Sequence, residues 1–170
     1  MRFQRQDGTG FEMNITGYAA PRARSYGQAN LLRQKIMVNG PYGSWQAEFP
    51  GITTYEAAWL ADWLEQVASG TEMRQRLDFL EPSLAFSLIE ASGERSVRIF
   101  LEWQARPVWM FARSGSTHEV WLDFPVSAKE ELFQAAAQLK QSLVKYPERQ
   151  DVNVHRAKRL APSFVQTTQF

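Results

Sequence analysis

The chain has 170 residues, and its 19 basic and 18 acidic side chains leave a formal charge of +1. It therefore lacks the global field that draws in nucleic acid or an anionic membrane, and a partner of either kind would need a local patch. Cysteine is absent, which excludes disulfides and thiolate metal ligands and suits a reducing compartment; the cytoplasm is the expected location. No run reaches the ~18 apolar residues of a membrane span, and Met1 to Asp7 does not lead into the apolar segment of a signal peptide, so neither insertion nor export by that route is expected.

The first nine residues are polar, and the folded chain is expected to begin near Gly10. Phe11 to Ile15 alternates apolar with polar at the period of a half-buried strand. A loop from Arg22 to Gly27 leads to a strand-like run, Leu31 to Val38. A turn at Asn39-Gly40-Pro41 returns the chain along Gly43 to Phe49, which predicts an N-terminal antiparallel meander of three strands. Thr53-Thr54-Tyr55-Glu56 has the form of a capping box, in which the threonine oxygen accepts from the third helical amide and the glutamate reaches back. Leu60, Trp63, Leu64 and Val67 then fall on one helical stripe, which Trp59 would widen, and Ser69-Gly70 ends it.

A second meander follows: Gln75 to Leu80, Ser83 to Glu90 and Arg95 to Trp103, the last two joined by a turn at Ala91 to Glu94. Val97, Ile99, Leu101 and Trp103 share one face, which is assigned to the core. Pro107 interrupts the ladder, and Val108 to Arg113 and His118 to Phe124 are expected to pair as a final hairpin. Ser127-Ala128-Lys129-Glu130 repeats the capping pattern, and Leu132, Ala136, Leu139 and Leu143 line one side of a helix that Pro147 stops. The expected fold is α+β: antiparallel meanders of seven to eight strands packed with two amphipathic helices. It forms one domain over 1–149, followed by a mobile tail or docking arm over 150–170.

Chemistry is sparse. His118 and His155 are the two histidines, and nothing local gives them converging carboxylates, so neither a metal nor another cofactor is expected. Glu90, Glu94 and Glu102 alternate with apolar residues as solvent-face positions do. Ser114-Gly115-Ser116 is ordinary turn chemistry, and the basic run Arg156 to Arg159 lacks the interleaved aromatics of a nucleic-acid site. No nucleic acid or membrane partner is therefore expected. The outward side of the second sheet is more informative. If Val97, Ile99 and Leu101 face inward, Arg98, Phe100 and Glu102 face out, joined on the last strand by Glu119, Trp121 and Asp123. Aromatic and arginine side chains anchor many interfaces, although a helix or the first meander could equally cover this face. A cleft lined by Trp103, Trp109 and Tyr146, serving a small ligand or a small enzyme, is the rival reading.

Several segments resemble, in their order, the WapI-type immunity proteins, antitoxins of contact-dependent polymorphic toxins. Gly17-Tyr18 with Pro21 is similar to the family's Gly-Tyr-x-x-Pro, and Gln28-Ala29-Asn30-Leu31-Leu32 to its Asp/Glu-Ala-Asn-Trp-Leu. Leu60 to Gly70 resembles its Leu-x-x-Trp-Leu helix closing on glycine. Leu77 to Phe86 is similar to its Phe-x-Glu-Pro-x-Leu-x-Phe passage, and Tyr146-Pro147-Glu148-Arg149 to its Phe-Pro-x-Arg close. Leu31 departs from the pattern where the family usually has tryptophan, and the segment beyond Arg149 has no counterpart. The resemblance implies a non-enzymatic protein that binds a toxin's C-terminal domain, often a nuclease acting on RNA. Electrostatic complementarity to a nuclease phosphate site makes Glu102, Glu119 and Asp123 the expected contacts; the resemblance supplies no catalytic residue and no oligomeric state.

Overall fold

The computed structural model describes residues 1–41, 43–108 and 120–150. Among the described residues the strands form two antiparallel four-stranded sheets, each in simple sequence order. The first contains β1 (Arg2–Gln4), β2 (Gly10–Tyr18), β3 (Leu31–Gly40) and β4 (Gly43–Thr53), with the short helix α1 (Tyr26–Asn30) between β2 and β3. Helix α2 (Thr54–Ser69) leads to the second sheet, β5 (Arg76–Asp78), β6 (Leu84–Ala91), β7 (Glu94–Leu101) and β8 (Trp121–Pro125), and α3 (Lys129–Lys145) follows.

Alternation decides which side of each strand is buried. Phe11 and Met13 of β2 stand opposite Val38 and Ile36 of β3, while Phe86 of β6 stands opposite Ile99 of β7, and all are buried. The two inner faces meet directly through the ring pairs Phe11–Phe86 and Phe3–Phe124, 6.3 and 5.3 Å between centroids. The apolar stripes of α2 (Leu60, Trp63, Leu64, Val67) and α3 (Leu132, Ala136, Leu139) enter the same core. One continuous core thus serves both sheets and both long helices.

The Thr53 capping box forms as its spacing predicts, and it reaches further than the helix. Glu56 Oε2 accepts from the Thr53 amide at 2.9 Å, while Oε1 accepts from the Leu80 amide at 2.6 Å, tying the start of α2 to the loop before β6. Gly70 ends α2 in the left-handed region, φ 71°, where a glycine has no steric cost. The β6–β7 turn places Ser92 and Gly93 at φ 54° and 80°, the two positive angles of a type I′ hairpin turn.

Several expectations require correction. The fold does not begin near Gly10: Phe3 pairs with Phe11 and is buried, and β1 adds a fourth strand to the first meander. The expected loop from Arg22 to Gly27 ends early, because α1 begins at Tyr26. The second capping box does not form; α3 begins after Ala128 with no side-chain cap, and Glu130 and Glu131 in its first turn supply favourable charge instead. Trp59 does not widen the α2 stripe, being 53% exposed. Trp103 is not core. The chain leaves the line of β7 after Leu101 and enters a short 3-10 turn, Trp103–Ala105, with Trp103 in the left-handed region and 75% exposed. The partner of β8 is β7. Of the expected first arm of the final hairpin, Val108 to Arg113, only Val108 is described, and it is exposed and not in a strand; residues 109–119, Tyr42 and the expected tail over 151–170 lie outside the described residues.

Candidate protein-binding interface

The outer face of the second sheet follows from its register. Asp78, Ala85, Phe100 and Trp121 form one cross-strand row, and Arg76, Ser87, Arg98 and Asp123 form the next. Neither long helix supplies a residue to these rows. Side chains of the two rows interlock. Arg98 donates to both Asp123 oxygens, from Nε at 2.8 Å and Nη2 at 2.9 Å, and its guanidinium lies 4.4 Å from the Trp121 ring centroid. Arg76 lies likewise 4.5 Å from the Phe100 centroid while donating to Asp78 at 2.8 Å. The result is a surface of two aromatic rings, each carrying a cation that is itself paired with a carboxylate. The two-bond Arg98–Asp123 fork holds its long side chain in one geometry.

The structure brings Arg98, Phe100, Trp121 and Asp123 together as the alternation predicts. Phe100 is outward but closed, at 7% exposure, because Arg76 and Trp121 cover it. Trp121 is 41% exposed and is the open ring. Glu102, just past β7, borders a shallow pocket of about 250 Å³ together with Phe100, Trp103, Pro82, Arg76 and Asp78. Glu119 lies outside the described residues. Asp123 is spent on Arg98, so among the described residues Glu102 is the expected contact whose carboxylate makes no ion pair. Sequence reasoning missed Arg76 and Asp78, although the alternation of Arg76-Leu77-Asp78 around a buried leucine already places both outward.

The cleft expected from Trp103, Trp109 and Tyr146 does not gather its two described members. Trp103 borders the pocket beside β7, whereas Tyr146 packs edge-on against Tyr18 and donates its hydroxyl to the Thr16 carbonyl at 3.0 Å. Trp109, like His118 and His155, falls outside the described residues. Among the described residues no three histidine or carboxylate groups converge as metal ligands, and no helix is long and apolar enough to cross a membrane.

The model of the immunity protein WapI-like family matches residues 2–147. The chain belongs to that family. No curated protein and no solved structure matched it.

The WapI-like segments lie far apart in sequence but converge in space. Asn30, fully buried at the end of α1, receives a hydrogen bond from the Arg149 amide at 2.6 Å and one from the Thr54 hydroxyl at 3.2 Å, and donates to the Arg149 carbonyl at 2.9 Å. The Arg149 guanidinium lies 3.7 Å from the Tyr18 ring centroid and donates to the Pro21 carbonyl at 3.0 Å. Tyr18 donates to the Pro147 carbonyl. The Tyr26 hydroxyl donates to the Glu148 carboxylate, a bond that, with some burial, holds the phenol pKa up at about 12. Gly-Tyr-x-x-Pro, Ala-Asn and Pro-x-Arg are therefore parts of one clamp that fastens the end of α3 to the first sheet.

Proposed function

We propose that this chain is a non-enzymatic cytoplasmic immunity protein that neutralises a cognate toxin domain by direct binding. The toxin docks on the outer face of β5 to β8. Membership of the WapI-like family carries the reading; the aromatic and charged rows, in which Trp121 is 41% exposed, support the choice of face. A nuclease acting on RNA is the first toxin class to test.

An inhibitor that must silence a toxin inside its own cell needs nanomolar affinity, about 12 kcal/mol, from an interface of roughly 800 Å² on each partner. Trp121 and Arg98 are side chains of the types that dominate such interfaces. Because Arg98 is already fixed between Asp123 and Trp121, docking loses less side-chain entropy than it would on a free surface.

The test is capture from the lysate of the producing cell with the tagged full-length chain at two salt concentrations, followed by mass spectrometry. Wild type should retain, in stoichiometric amount, the C-terminal part of a large secreted protein, and that domain should kill cells unless the chain is co-expressed. Trp121→Ala and Arg98→Glu should each weaken retention by roughly 30-fold or more. Retention equal to wild type by both variants would exclude this face; a wild-type chain that retains no such domain would exclude toxin binding.

A further inference from the structure

We infer that the pocket beside β7 receives one basic side chain, lysine or arginine, projecting from the partner protein. The inference rests on the toxin-binding reading and specifies what that partner must present. Three observations lead to it.

The first is the backbone. After Val97, Ile99 and Leu101 the next inward position is Trp103, and continued strand would drive the ring into the core. Instead φ at Trp103 is 46°, a left-handed conformation that a bulky side chain adopts only when its surroundings impose it. The imposing contacts are the Glu102 amide on the Ser83 carbonyl at 2.9 Å, the Ala105 amide on the Glu102 carbonyl at 2.8 Å, and the burial of Ala105. Their effect is to set an exposed indole at the rim of the pocket.

The second is charge. Arg76 and Asp78 pair with each other at the pocket wall, leaving the Glu102 carboxylate uncompensated among the described residues, an excess of one negative charge. The third is shape and precedent. A space of about 250 Å³ lies below the 300–1,000 Å³ of small-molecule sites and suits one long side chain. The protein already rests a guanidinium, that of Arg76, on the Phe100 ring. A second cation between Trp103 and Glu102 would gain the same ring contact, strongest for tryptophan, and a carboxylate partner besides.

The full-length 15N-labelled chain is titrated with N-acetyl-arginine amide and with N-acetyl-citrulline amide, its uncharged counterpart, while the Trp103 indole N–H signal is followed. The arginine probe should shift that signal in a saturable way, the citrulline probe should not, and Glu102→Gln should abolish the shift. No shift, an equal shift with citrulline, or a shift that survives Glu102→Gln overturns the inference. Trp103→Gly, which relieves the left-handed strain, should melt at higher temperature and yet lose the response; a lower melting temperature would make Trp103 a structural residue and overturn the strain argument. In the capture assay Trp103→Ala should weaken retention of the toxin domain roughly 30-fold and Glu102→Gln roughly tenfold. A wild-type chain that retains no toxin domain sinks the function and, with it, the partner. Retention by wild type and by both variants alike sinks the pocket alone.

Discussion

Asn30→Ala tests the clamp that fastens α3 to the first sheet. Besides donating to the Tyr26 carbonyl within α1, the Asn30 amide group serves the Arg149 amide and carbonyl and the Thr54 hydroxyl, so removing it leaves three polar groups outside α1 without this partner in a buried or half-buried site. At about 1 kcal/mol for each abandoned group the loss is about 3 kcal/mol, or roughly 10 °C in melting temperature for a domain of this size. Urea unfolding followed by tryptophan fluorescence gives the free energy directly. The chain ended after Tyr146, which removes Arg149, provides the second arm of a double-mutant cycle. If Asn30 acts through Arg149, the two changes together should cost at least about 1.5 kcal/mol less than their sum. A chain ended after Gln150 should keep wild-type stability, since it preserves every clamp contact and the proposed domain over 1–149. An Asn30→Ala loss under 1 kcal/mol, or strict additivity with the truncation, would refute the reasoning.

Three further perturbations concern Gln34, Gly51 and the Met1 amine. Gln34 is buried in the inward row with Leu32, Ile36 and Val38, and among the described residues neither its Nε2 nor its Oε1 has a hydrogen-bond partner; Gln34→Leu should stabilise the protein by about 1 kcal/mol in urea unfolding. A Cβ on Gly51 would fall 2.0 Å from Gln34 Nε2, so Gly51→Ala should cost about 2–3 kcal/mol, and less in a Gln34→Val background. Burial lowers the pKa of the Met1 amine to about 6 against the ordinary 8.0, with Glu12 opposing the shift. The amine binds its proton more weakly in the folded state, so stability is highest above pH 8 and is lost as pH falls through 6. The difference approaches about 2–3 kcal/mol. Urea midpoints between pH 5 and 9 should show this slope, and an N-terminally acetylated chain should lack it; an unchanged slope after acetylation would assign it to another group.

The parts of the fold legible from sequence are those with enough repeats of a period to outvote local accident. Val97, Ile99 and Leu101 show strand alternation, Leu60 to Val67 show a helical stripe, and Thr53 with Glu56 marks a helix start that backbone chemistry requires. β1 and α1 are too short for periodicity to register, and β1 exists because Phe3 finds Phe11 across the ladder, a tertiary fact. Trp103 departs from the pattern for a physical reason: alternation extrapolates a strand, and nothing in Glu102-Trp103-Gln104 announces a left-handed turn. Gln34 sits at an inward position in an alternating run, yet its type argues for solvent, and only packing shows that the pattern wins. For the candidate interface, alternation supplied the side of the sheet. It could not supply the cross-strand pairing of Arg98 with Asp123, which takes that carboxylate out of consideration and leaves Glu102.

Most of the residues that carry the family resemblance serve the framework. Tyr18, Pro21, Asn30 and Arg149 meet in the clamp, and the helix passage from Leu60 to Gly70 fills the core. None of these stands in the outer rows of the second sheet, so these matches to the family pattern report on how the chain folds. The departure at Leu31 fits this division, since that position is half-buried opposite Thr53 in the first sheet. The passage from Leu77 to Phe86 is different. Its Leu80 amide is held by Glu56, its Phe79 and Phe86 rings pack together in the core, and its Pro82 borders the pocket beneath Trp103. Here framework and candidate interface share a segment, which gives the pocket a rigid wall, and a site anchored on such a wall can hold its geometry to the tolerance that tight recognition needs.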